Sequence, residues 1–72
     1  MKVIFTNHAK QRIVERDISF LLVKQTVKNP DSHKSSEYGI VVVRKMFGKK
    51  ILEVIYKVKG TSYIIITSYY GN

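Results

Sequence analysis

The apolar positions of this chain change their period near its middle. Up to residue 28 they recur at helical spacing; from residue 40 they run together or alternate. Residues 3–5 are a short β-prone stretch. Thr6 and Asn7 follow, and either side chain suits a helix N-cap. Ala9 and Ile13, four apart, define the buried face of a helix predicted over residues 8–16, with Phe5 placed to pack on its first turn. Asp17-Ile18-Ser19 reads as a turn. Ser19 then caps a second helix over residues 20–28, in which Phe20, Val23 and Val27 keep the spacing and Leu21 and Leu22 widen the stripe. Pro30 ends it by biasing Asn29 away from helical backbone. Residues 31–36 contain no apolar side chain and read as a loop.

The second half predicts strands. Residues 40–43 are all β-branched, as in a strand buried on most of its surface. Gly48-Lys49 puts glycine at the first central position of a type II′ hairpin turn. Residues 51–59 alternate: Leu52, Val54, Tyr56 and Val58 share one face, with Glu53, Lys57 and Lys59 on the other. This turn sets Arg44 beside Glu53 and Ile40 beside Lys57. Gly60-Thr61 marks a second hairpin, followed by a strand over residues 61–70. Its register stays open. A strict two-residue turn places Tyr63, Thr67 and Tyr69 with Val54 and Tyr56, and one extra residue moves them beside Lys57. The expected fold is α+β, one domain over residues 1–72, ordered (β)ααβββ. Two helices cover one face of an antiparallel meander of three to four strands.

Charge changes the picture from fold to partner. Thirteen Lys and Arg against five Asp and Glu give a net charge of +8 over 72 residues. Residues 1–36 carry seven cations and three acids, and residues 37–72 carry six and two. The excess therefore belongs to the fold rather than to a tail, which points to a polyphosphate partner. A chain this short buries only about 60% of its unfolded surface, so its site is expected to be an open face or a shallow cleft. Absence of cysteine excludes disulfides and thiolate metal sites. No segment reaches the length of a membrane helix, and the cytosol is the expected compartment.

Candidate chemistry lies in two rows. On the first helix, His8, Arg12 and Arg16 fall on one polar flank, with Glu15 placed to pair with Arg12. His8 sits in the first turn, where the helix dipole favours a neutral imidazole and an anion beside it, the setting of a general base. On the sheet, Arg44 and Lys57 share a face. Tyr69 and Tyr70, near a polar end, are candidates to stack on unpaired bases; Tyr56 and Tyr63 read as packing residues. The two histidines are far apart and the acids are isolated, so no metal or other cofactor is expected. Phosphodiester cleavage without a metal is easiest when RNA supplies its 2′-hydroxyl, which leaves the protein to provide a base and cations.

The residues His8-Ala9, Arg12 and Glu15-Arg16-Asp17-Ile18-Ser19 resemble the opening of a family of small bacterial and archaeal domains, which reads His-Ala-x-x-Arg-x-x-x-Arg-Gly-Ile-Ser. Asn29-Pro30-Asp31, Lys45-Met46-Phe47-Gly48 and Ile66-Thr67-Ser68-Tyr69 extend the likeness over nearly the whole chain. It departs at Asp17, where that family usually has glycine. The family is similar to BrnT-type and, more distantly, RelE-type ribonuclease toxins. The resemblance implies an RNA cleft lined by His8, Arg12, Arg16, Arg44, Thr67 and Tyr69, and an acidic antitoxin as partner. Catalysis is thus expected from His8, Arg12, Arg44 and Tyr69, and RNA binding from Arg16, Lys57, Thr67 and Tyr70. The competing expectation is a non-catalytic basic module for nucleic acid or protein. The aliphatic runs at residues 40–43 and 64–66 also suit edge pairing into a homodimer.

Overall fold

The computed structural model describes residues 2–36 and 38–71. Its elements are β1 (Lys2–Phe5), α1 (Asn7–Glu15), α2 (Phe20–Lys28), β2 (Ser32–Ser35), β3 (Ile40–Phe47), β4 (Lys50–Lys59) and β5 (Ser62–Gly71). Both helices start where a hydroxyl side chain caps them. Of the two candidate caps for α1, Thr6 takes the role, its Oγ1 accepting from the Ala9 amide at 3.0 Å. Ser19 Oγ accepts from the Leu22 amide at 3.3 Å. Asp17 adopts a left-handed backbone with φ 54°, the conformation for which a short polar side chain is the best substitute for glycine. Phe5 has Lys10, not an apolar residue, at the position a hydrophobic staple would use, and it is packed against the core cluster that includes Ala9. It packs edge-on against Phe20, ring centroids 5.1 Å apart, and so ties β1 to α2.

The sheet departs from the expected meander. It has five strands in the order β1-β5-β4-β3-β2 and is mixed, since β1 pairs parallel with β5 from Lys2 opposite Ser62 to Phe5 opposite Ile65. Residues 32–35 form a strand rather than part of a loop. Every side chain of β2 is exposed, so the segment carried no hydrophobic signal. Its order comes from the ladder to β3, reinforced by Asp31, whose amide donates to the Arg44 carbonyl and whose Oδ2 accepts from the Met46 amide, each at 2.8 Å.

Both helices cover one face. Beneath them lie Val41, Val43, Leu52, Val54, Tyr56 and Ile65, met by Ala9, Ile13, Ile18, Val23 and Val27. Tyr56 packs against Tyr63 at 4.7 Å between centroids, and desolvation, followed by the neighbouring Tyr63, raises its phenol pKa above the ordinary value.

The last hairpin resolves the open register in two steps. The Gly60-Thr61 turn is a strict two-residue turn, since Lys59 faces Ser62 and Tyr56 faces Ile65. Tyr63 accordingly joins the covered face. Then the ladder shifts between Ile55 and Tyr56: Ile55 faces Thr67, so Ile66 is the extra residue of a β-bulge. Beyond it the inward side chains are Ser68 and Tyr70, and the outward ones are Thr67 and Tyr69. α1 grips this bulge from both sides. Thr6 Oγ1 donates to the Ile65 carbonyl at 3.1 Å, and Arg16 Nη1 donates to the Ser68 carbonyl at 2.8 Å.

Ser68 is fully buried, and its hydroxyl has no hydrogen-bond partner. Replacing Ser68 by Ala should leave stability unchanged to within about 1 kcal/mol or raise it, because an unpaired buried hydroxyl is itself a cost. Replacing the equally buried Ile13 by Ala should cost about 3 kcal/mol. Urea unfolding of the two variants checks both, and a large loss for Ser68→Ala would show that the hydroxyl is bonded in solution.

Candidate functional site

The face away from the helices is uncovered. Alternation along each strand sends Lys34 of β2, Ile40, Val42 and Arg44 of β3, and Ile51, Glu53, Ile55 and Lys57 of β4 to it, with Ile64, Thr67 and Tyr69 of β5. The aliphatic residues among them are half-buried, with no helix above them. Three shallow clefts on this face share Arg44. One is lined by Arg44, Ile51, Glu53, Tyr69 and Gly71. The second runs from Lys34 across Val42 and Ile55 to Tyr69. The third lies along β2, between Ser32 and Arg44.

Arg44 and Glu53 are direct neighbours across β3 and β4, and Arg44 Nε donates to Glu53 Oε1. Their exposures differ sharply. The Glu53 side chain is 8% exposed and the Arg44 side chain 61%. The carboxylate is thus held in the sheet while the guanidinium stands in water. Among the described residues the Arg44 Nη groups have no protein partner, so Glu53 steers the arginine and leaves its fork free for an anion. Tyr69 lies directly opposite Glu53 on the other side of β4. It is 37% exposed, enough to offer a ring face to a base. Lys57 is on the same face, but four residues from Glu53, roughly 13 Å along the strand.

The predicted residues therefore separate into groups. Arg44, Thr67, Tyr69 and Lys57 share the open face. Arg16 reaches its rim, where Nη1 also donates to Thr67 Oγ1 at 3.3 Å. His8 and Arg12 stay on α1, in the helix layer. His8 is exposed, and Arg12 pairs with Glu15 at 3.4 Å as its spacing suggested. Tyr70 turns the other way: it packs against the core, with the Lys50 ammonium 5.1 Å from its ring centroid, so it does not join the face that carries Tyr69. The two basic rows do not converge on one cleft, and only Arg16 connects them. The residue that sequence reasoning left out of the site is Glu53. Its signal was present in the hairpin pairing with Arg44, but an acid on a basic face reads first as a charge partner.

Among the described residues no three His, Asp or Glu side chains gather as metal ligands, and no helix is long and apolar enough to cross a membrane. No curated protein and no solved structure matches the chain. Residues 5–70, spanning both helices, β3, β4, all but the last residue of β5 and the whole Arg44–Glu53–Tyr69 group, match the family described as Domain of unknown function (DUF4258), and the chain belongs to that family.

Proposed function

We propose that the open sheet face binds RNA and that the protein is a toxin-like, metal-independent endoribonuclease of a toxin–antitoxin system, held in check by an acidic antitoxin in the cytosol. The observation that carries this reading is the grouping of a free arginine fork, a shielded carboxylate and an exposed tyrosine on one face of a chain with net charge +8. Each supplies one requirement of 2′-hydroxyl attack. Glu53 takes the 2′-hydroxyl proton through the oxygen that Arg44 does not hold. The 2′-oxygen then bonds to phosphorus and the 5′-oxygen leaves, giving a 2′,3′-cyclic phosphate and a 5′-hydroxyl. Arg44 stabilises the charge of the phosphorane, and Tyr69 stacks on a base or returns a proton to the leaving oxygen. This assignment moves the base from His8 to Glu53, because His8 lies in the helix layer. The runner-up reading is a non-catalytic binding module. The ion pair favours it in one respect, since Arg44 already occupies one oxygen of the proposed base.

Incubation with RNA in EDTA, with end-group analysis of the fragments, separates the readings. Cleavage to 2′,3′-cyclic phosphate ends is expected. Glu53→Gln should slow it by about 10²-fold or more, a typical loss for a general base. Arg44→Ala should cost about 10²–10³-fold, as for other groups that stabilise a developing anion. His8→Ala should stay within about twofold of the parent, since nothing beside the reacting phosphate would be lost. Cleavage that survives Glu53→Gln and vanishes in His8→Ala would move the chemistry to α1, and binding without cleavage would establish the second reading.

Binding itself should be salt-dependent. Each phosphate contact to a single strand adds about −0.7 to the slope of log K against log salt. Arg44→Ala and Lys57→Ala should each reduce that slope by about 0.7, whereas Lys24→Ala, on the helix layer, should leave it unchanged. An equal effect of all three would mean that the RNA is not confined to the open face.

A further inference from the structure

The last strand is only half paired on its outer side. β1 runs beside residues 62–65 and stops, so residues 66–71 are bonded to β4 alone. Past the bulge, residues 67–71 keep a regular register with β4, from Thr67 opposite Ile55 to Gly71 opposite Ile51. That length matches an average strand of about five residues. The Ser68 carbonyl points outward, since it accepts from Arg16. In an antiparallel ladder the N–H and C=O of one residue point to the same side, so Ser68 and Tyr70 present their backbone groups at this edge. Arg16 is the one side chain among the described residues bonded to it.

The opposite edge of the sheet differs. β2 has four residues, all exposed, with Lys34 among them, and short charged edges resist pairing. The β5 edge is longer and begins inside the sheet. Beside it, the segment from α1 into the following turn carries Lys10, Arg12 and Arg16 against Glu15 and Asp17. His8, Arg12 and Arg16 follow one another at four-residue spacing along α1, whose Arg16 end touches β5, and the one acid among them, Glu15, is paired with Arg12. A second copy of this chain is a poor occupant. It would bring together two chains of net charge +8 and, across a two-fold axis, two copies of this basic flank.

We infer that the β5 edge accepts an extended acidic segment of another protein, which adds to the sheet as a sixth strand. Backbone bonds to Ser68 and Tyr70 replace the bond between Arg16 and Ser68. The freed Arg16, with Arg12, pairs with carboxylates on the incoming strand. This is strand addition with charge selection. It rests on strand pairing and charge, not on RNA cleavage, so loss of the ribonuclease reading leaves it standing.

The test uses the full chain and short capped synthetic peptides. One alternates Glu with Val and Thr, a second replaces each Glu by Lys, and two more carry the Glu sequence with N-methyl groups on alternate amides, in the two possible phases. NMR amide exchange and fluorescence anisotropy are the readouts. The Glu peptide should bind and slow exchange at Ser68 and Tyr70. One N-methylated phase should lose at least about tenfold in affinity, and the Lys peptide should not bind. Arg12→Glu, a change at a half-exposed position, should remove the preference for Glu over Lys. Equal binding of both N-methylated peptides, or protection appearing in β2 or on the open face, would overturn the inference. So would a chain that binds oligouridylate at this edge but no peptide.

Discussion

The grip of α1 on the bulged segment of β5 sets the rest of the structure. Thr6, at the start of the helix, bonds the Ile65 carbonyl, and Arg16, at its end, bonds the Ser68 carbonyl. The residues between these anchors include the extra residue of the ladder. Without that residue, a strand with Tyr63 and Ile65 inward would also turn Thr67 and Tyr69 inward, by simple alternation. With it, Ser68 and Tyr70 complete the covered face, and Thr67 and Tyr69 reach the open one. A nine-residue helix is about 14 Å long, whereas the strand between its anchors advances roughly 10 Å. The Arg16 side chain spans the difference, and Ala9 and Ile13, both fully buried, lie between the two anchors along the helix.

This explains what the sequence could and could not reveal. Thr67-Ser68-Tyr69-Tyr70 is nearly unchanged by a one-residue shift, which exchanges a hydroxyl residue for a hydroxyl residue and a tyrosine for a tyrosine. Hydrophobic patterning chooses a register by the cost of turning apolar groups outward, and here the two registers cost almost the same. The decision falls to hydrogen bonds from α1, nearly sixty residues away in sequence. The helices were legible because their information is local: caps at Thr6 and Ser19, a stop at Pro30, and spacing within one turn. So was the β3–β4 hairpin, where a glycine at φ 65° and two alternating strands agree on one register. β2 was not, since its side chains meet only solvent and its order comes from the ladder it joins. Parallel pairing of β1 with β5 was hidden for the same reason as the bulge: it joins the two ends of the chain.

The two helices fix the other large feature. Two nine-residue helices can cover one face of a five-stranded sheet and no more. The second face keeps Ile40, Val42, Ile55 and Ile64 half-exposed, yet charge is threaded through it at Lys34, Arg44 and Lys57. A face of that kind stays soluble through its cations and still offers flat apolar surface to a large ligand. Glu53 fits this description in a way that a free acid would not. Placed among cations, it reduces their mutual repulsion. Buried to the carboxylate, it holds Arg44 by one nitrogen and so keeps the guanidinium from collapsing onto the aliphatic surface.

The two faces and the free edge meet at one residue. Arg16 is attached to the helix layer by its backbone, to the β5 edge through Ser68, and to the open face through Thr67. It was singled out by the spacing of cations on α1, as one of a row; in the folded chain it leaves that row. A guanidinium has five donors in a fixed plane, which lets a single side chain bond a backbone carbonyl and a hydroxyl at once. Both bonds leave the same nitrogen, Nη1, so one terminal group of the guanidinium spans the two acceptors. The bond to Ser68 satisfies an edge carbonyl that neighbouring strands leave free, and the bond to Thr67 fixes the first outward side chain after the bulge. Any ligand that displaces Arg16 from the edge must also release Thr67, so occupancy of the edge and the shape of the open face are physically linked through this one side chain.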